Sequence, residues 1–111
     1  MRLPSISKKS DFASMRAHGK KYHLPCMTVI YLQNQDLDSS RIAFAISGKL
    51  ANAVSRNKIR RRIREALRLT INEIDIKYDI LFIPKKNAID VDYQDLLTQI
   101  KKLLNFLGNL K

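Results

Sequence analysis

The sequence predicts an α+β fold in which a small central mixed sheet is packed with helices, in a single domain covering residues 1–111. Three observations predict it. Residues 41–47 alternate large and small side chains with the two-residue period of a strand. Residues 53–72 and 93–107 carry apolar side chains three and four apart, the mark of a helix with one buried side. Residues 77–84 form another apolar strand after the first of these helices, and a strand, a helix and a strand in succession require a crossover and a parallel pair.

From the N-terminus, residues 1–6 read as an extended lead-in, since Pro4 opposes helix. Ser7 is suited to cap a short helix that runs to about Ala17 and stops at Gly19, with Phe12 and Met15 as its apolar contacts. Residues 20–25 connect it to a first strand at 27–32, rich in β-branched and aromatic side chains. Residues 33–40 turn into the second strand, and the two are expected to pair as an antiparallel hairpin. Ile42, Phe44 and Ile46 then face the core, while Ala43, Ala45 and Ser47 leave a shallow opposite face that Thr28 and Ile30 border. The helix at 53–72 buries Ile59, Ile63, Ala66, Leu67 and Ile71. Pro84 ends the third strand, Asp92 caps the last helix, and Gly108 closes it after a stripe that includes Leu96, Leu97, Ile100, Leu103, Leu104 and Leu107.

Charge is distributed unevenly. The 111 residues carry a formal net charge of +11. Residues 1–72 hold 15 basic and 4 acidic side chains, and residues 73–111 hold 6 of each, so the whole excess lies in the first two thirds. Its centre is the 53–72 helix, where Arg56, Lys58, Arg60, Arg61, Arg62, Arg64 and Arg68 stand against the single acid Glu65. A solvated surface helix ordinarily mixes Glu with Lys to gain opposite-charge pairs. Glu65 meets only some of these arginines, and the remainder repel one another unless a polyanion neutralises them. Guanidinium is planar and bidentate, which suits phosphate oxygens, so nucleic acid is the expected partner. An anionic membrane is the rival, but no apolar anchor adjoins the basic helix and no run is long enough to span a bilayer. The first residues lack the apolar core of a signal peptide, and Cys26, the only cysteine, suits a reducing compartment; the expected location is cytoplasmic.

Catalytic constellations find little support in the residues. His18 and His23 have no second cysteine or third ligand in a metal-binding pattern, the three glycines do not form a phosphate loop, and Cys26 reads as a small buried hydrophobe. Asp90, Asp92 and Asp95 are more simply helix-start acids than a metal cluster. A basic helix, a short helix bearing Phe12 and a sheet face of small residues together make a groove for single-stranded nucleic acid, held by its phosphates and by aromatic platforms. Phe12 and Tyr31 are candidate platforms and Tyr22 a weaker one, each with a core role as the alternative.

The stretch 41–67, RIAFAISGKLANAVSRNKIRRRIREAL, resembles the signature of the protein subunit of bacterial ribonuclease P. Its centre is Ala53-Val54 followed by Arg56-Asn57-Lys58-Ile59-Arg60-Arg61 and Ile63-Arg64-Glu65. Asp11-Phe12 ahead of His18-Gly19, and Tyr78-Asp79 opening a late strand, extend the likeness over most of the chain. The resemblance implies the order α-β-β-β-α-β-α with a left-handed βαβ crossover, and it places the extra short strand near residues 48–50. It implies a subunit that is not itself the catalyst. The partner is a catalytic RNA subunit that, with Mg²⁺ bound mainly by that RNA, removes the 5′ leader of precursor tRNA; the protein alone is expected to bind no metal, and no obligate protein partner or membrane is expected.

By position, the RNA-binding set is Lys49, Arg56, Asn57, Lys58, Arg60, Arg61, Arg62, Arg64 and Arg68. The resemblance implies a leader cleft lined by Phe12, Arg16, Thr28, Ile30, Arg60 and Arg64. Four positions depart from the family pattern. Lys58 stands for the usual second arginine of the central motif and Gly48 for a lysine, while Arg16 and Ile30 stand where aromatic residues are common. Leader binding is therefore expected to depend more on charge than on stacking. The alternatives to this reading are a basic RNA-binding structural module such as a ribosome-associated protein, and a metal-dependent nuclease built on Asp90, Asp92 and Asp95.

Overall fold

Two periodicities, two along a strand and 3.6 along a helix, sort the apolar side chains onto both sides of one sheet. The computed structural model describes residues 4–6, 8–34, 40–49, 52–70 and 77–109. The elements are α1 (Lys9–His18), β1 (Lys20–Leu24), β2 (Met27–Gln33), β3 (Arg41–Phe44), α2 (Ala53–Thr70), β4 (Tyr78–Pro84) and α3 (Tyr93–Gly108). The expected order α-β-β-β-α-β-α is present. The sheet is mixed, in the order β1-β2-β4-β3, with β1/β2 and β2/β4 antiparallel and β3/β4 parallel.

Two expectations are corrected. The extra strand is β1, in the stretch read as a connection; residues 48–49 form a turn, and Leu50 lies outside the described residues. The hairpin joins β1 to β2 through Pro25 and Cys26, not β2 to β3, because β4 lies between those two. The cause of both is the apolarity of β4. Its Tyr-Asp-Ile-Leu-Phe-Ile run is almost wholly buried, so it takes a position covered on both faces and flanked on both edges. β1 is an edge strand whose Lys20, Lys21 and His23 are exposed, and only Tyr22 and Leu24 pack. Edge lysines keep such a strand from pairing with other chains and also hide it in the sequence.

Residues 4–6 run beside β3, as the extended lead-in predicts. Ile42 N donates to Pro4 O at 2.9 Å, and Ile6 N donates to Ile42 O at 2.9 Å. The first core lies between the sheet and the helix pair α2/α3, and it takes Val29, Tyr31, Ile42, Ile80 and Phe82 from the strands. The second lies under α1 and joins Met15 to Ile6, Ile30, Ala43 and Leu81.

Helix ends follow local chemistry. Asn52 Oδ1 accepts from Ser55 N at 2.9 Å, and Asp92 caps α3 by accepting from Gln94 N at 3.1 Å. Ser7, the expected cap of α1, lies outside the described residues, as do Ile71 and Asn72. In α2 the buried stripe is Ile59, Ile63, Ala66 and Leu67, joined by Thr70, whose hydroxyl donates to Ala66 O at 2.8 Å.

The helices are anchored very differently. Five aliphatic side chains of α3 are buried, but only Met15 of α1. At ~1.5–3 kcal/mol for each large side chain removed from water, α1 gains far less from burial than α3. Gly19 lets α1 lie close to the sheet. Its φ of −69° suits any residue, but a Cβ there would stand 2.4 Å from Met15 O and 2.6 Å from Ile30 Cγ2. Gly19→Ala is expected to cost ~1–3 kcal/mol through overpacking. A thermal melt should show a drop of about 4–8 °C per kcal/mol, and an unchanged midpoint would contradict this close approach.

Candidate nucleic-acid interface

α2 buries its apolar stripe against the sheet and α3, which turns its other sides outward. Lys58 and Arg61 are exposed, and their side chains make no hydrogen bond or ion pair with a described residue. Arg60 Nη1 donates to Asn57 Oδ1 at 2.9 Å, so Asn57 orients a fork that still has other donors to offer. Arg64 bends over the β3 edge of the sheet. It donates to Ser5 Oγ at 3.3 Å, and its guanidinium lies 5.4 Å from the centre of the Phe44 ring. Arg56 lies alongside Gly48, whose Cβ position is 3.9 Å from Arg56 Nη1. Lys49 is exposed at the turn before the helix.

Arg62 is turned into the fold, whereas Arg68 stays exposed in a surface ion pair. Arg62 donates to the carbonyls of Ala88 and Ile89 at 3.3 Å each and to that of Val91, stitching α2 to the loop before α3. Arg68 pairs with Glu65, its Nε donating to Oε2 at 3.1 Å, and holds that carboxyl below the usual carboxylate range. The outward cationic surface comprises Lys49, Arg56, Lys58, Arg60, Arg61 and Arg64, with Arg68 exposed beside its partner Glu65.

The other candidate surface is the sheet face under α1. The strand register arranges it in rows. Arg41, Asp79 and Leu32 form one row, and Ala43, Leu81, Ile30 and Lys21 the next. Ile83, Thr28 and His23 form a third. α1 closes over the second row, so Ile30, 8% exposed, is packing rather than surface. The third row is open: Thr28 and Ile83 are half-buried, His23 is exposed, and Thr28 Oγ1 lies 3.3 Å from His23 Nδ1. Phe12 is half-buried on the wall that α1 makes, and Arg16 is exposed.

Tyr31 and Tyr22 lie on the opposite face and are core residues. Tyr22 stacks on Phe106 of α3 at 4.3 Å, and Tyr31 meets Phe106 edge-on at 5.7 Å. Of the three aromatic candidates, Phe12 alone stays on the α1 side.

The sequence assigns neither His23 nor a charge cluster at the head of the cleft to the leader site. Arg41 holds Asp79 through two hydrogen bonds of 2.8 Å and reaches Asp11 of α1 at 3.3 Å. Its signal was present: a carboxylate inside the apolar run of β4 needs a buried cation.

A separate cleft of about 640 Å³ lies between the β1/β2 turn and α3, lined in part by Cys26, Asp90, Asp95 and Gln99. The Cys26 thiol donates to Gln99 Oε1 at 3.1 Å, and burial raises its pKa, which makes it a poor nucleophile. Among the described residues, no three His, Cys, Asp or Glu side chains are grouped to hold a metal ion, and no helix is long and apolar enough to cross a membrane.

The family model for ribonuclease P matches residues 2–108. The chain belongs to the ribonuclease P protein family. It is 36% identical over 104 residues to the ribonuclease P protein component of Clostridioides difficile, covering 93% of this chain and 90% of that one. The ribonuclease P protein of Staphylococcus aureus superposes with a TM-score of 0.82 at 27% identity, over 97% of this chain and 100% of that one. That of Thermotoga maritima gives 0.79 at 27% identity, over 96% and 97%.

A ribonuclease P protein component partners an RNA subunit. A Cβ added at Gly48 would meet Arg56 Nη1 at an ordinary contact distance of 3.9 Å. Gly48→Lys is expected to tighten binding to the RNA and to steepen its log–log salt dependence by ~0.7–0.9. Binding measured at several salt concentrations checks this; an unchanged slope would place Gly48 away from the RNA.

Proposed function

We propose that this protein is the non-catalytic subunit of ribonuclease P, and that it binds both the catalytic RNA and the single-stranded 5′ leader of precursor tRNA. The observation that carries the reading is the outward side of α2, where Lys58 and Arg61 stand exposed without a partner among the described residues. Such a surface lowers the repulsion between two RNAs, or between an RNA and its substrate, by placing fixed cations between their phosphates.

In this reading Lys49, Arg56, Lys58 and Arg61 grip the catalytic RNA. The leader lies over the open row of Thr28, Ile83 and His23, with Phe12 as its aromatic wall and Arg16, Arg60 and Arg64 supplying charge. Mg²⁺ is held mainly by the RNA, and hydrolysis of the phosphodiester belongs to that RNA–metal centre. The protein's own residues bind and orient. The free thiol of Cys26 suits a cytoplasmic location.

The test is reconstitution. Protein alone should cleave nothing, and protein with its RNA should release the leader of precursor tRNA at moderate Mg²⁺ and physiological salt. If the RNA cleaves equally well without the protein under those conditions, the reading fails.

A further inference from the structure

We propose that Asp11 and Arg41 are positioning residues that set how far α1 stands from the sheet, and so fix the width of the leader cleft. This rests on the leader-binding reading above. The observation is one guanidinium that serves two carboxylates on different elements. Arg41 opens β3 and Asp79 stands opposite it on β4, so the side chains meet on the face that α1 covers. Nε and Nη2 of Arg41 each lie 2.8 Å from a carboxylate oxygen of Asp79, which is 3% exposed. That pair already satisfies Asp79. The remaining nitrogen, Nη1, reaches Asp11 Oδ2 at 3.3 Å.

Asp11 is therefore not needed to neutralise anything inside the sheet. What its bond to Arg41 adds is a tie from α1 to β3. Met15 is the only fully buried side chain of α1, and it stands one helical turn from Asp11 on the same side. Phe12 follows Asp11 directly, so a shift of this end of the helix moves the aromatic wall. An acid beside a polyanion cleft also repels it. Positioning and repulsion thus predict opposite signs when the carboxylate is removed.

Asp11→Ala and Asp11→Asn lose the same charge, but only Asn keeps an oxygen that Arg41 can bond. Each variant is assembled with the catalytic RNA, and its affinity for precursor tRNA and for mature tRNA is measured. Asp11→Ala should lower the preference for leader-bearing RNA about two- to fivefold, the size of a partly exposed ion pair, with Asp11→Asn restoring most of it. Arg41→Lys, which replaces the fork with a point charge, should show the same loss as Asp11→Ala. If the two Asp11 variants tighten leader binding alike, or weaken it alike, or leave it unchanged, the proposal is overturned. Phe12→Ala is the control. If it too leaves the leader preference untouched, the leader-binding reading fails; if it lowers the preference while Asp11→Ala does not, only the tie fails.

Discussion

Lys58→Ala combined with Arg61→Ala is expected to weaken assembly with the RNA subunit by about a hundredfold or more. Hydrogen bonds to a charged group are worth ~1.5–3 kcal/mol each, so giving up two bonds to phosphate amounts to ~3–6 kcal/mol, or about two to four orders of magnitude. The log–log dependence on salt should become shallower by ~0.7–0.9 for each phosphate that is no longer neutralised. The fold itself should be unaffected, because both side chains are exposed and bond to no described residue, and alanine is the best helix former. Arg68→Ala serves as the contrast: Arg68 is already paired with Glu65, so its removal should weaken binding much less. Filter binding across a salt series, with melting of the free protein alongside, separates these outcomes. A loss below threefold for the double variant would mean that this side of α2 does not face the RNA.

Arg41→Met should produce the largest loss of stability. It leaves Asp79, 3% exposed, as a buried carboxylate without its cation, at a cost of ~3–5 kcal/mol. Domains of this kind have only ~5–15 kcal/mol in total, so the melting temperature should fall by roughly 12–40 °C. An unpaired buried carboxyl titrates above its unfolded value, so the penalty is full at neutral pH and is relieved as pH falls through the raised folded value. The variant should therefore be closer to wild type at pH 5 than at pH 8. Adding Asp79→Leu to Arg41→Met should recover most of the stability, since a buried pair can be exchanged for apolar packing at little cost. A melting temperature within 3 °C of wild type for Arg41→Met alone would show that Asp79 finds other partners.

The parts that could be read from the chain are those a segment determines alone. The stripes of α2 and α3 and the cap at Asp92 follow from spacing and from side-chain chemistry at helix ends. The excess charge on α2 marked its outward cationic side, and the motif from Arg56 to Glu65 marked the family.

What the chain did not disclose depends on partners distant in sequence. Arg61 and Arg62 are neighbours in the chain, yet Arg61 stays exposed while the donors of Arg62 are engaged by three carbonyls some 26 to 29 residues away. Tyr22 and Tyr31 have the composition of stacking platforms, but the register of β1 and β2 turns them toward Phe106. Arg41 and Asp79 are 38 residues apart and become one unit only because β3 and β4 pair in parallel.

The sequence by itself determined which segments are helical, where positive charge accumulates and which family the chain resembles. Tertiary structure alone decided the strand order, the burial of the tyrosines, the withdrawal of Arg62 and the tie between α1 and the sheet. The physical reason is that periodicity and charge are local properties, whereas the neighbour of a strand or a guanidinium is settled by which apolar surface must be covered on both sides.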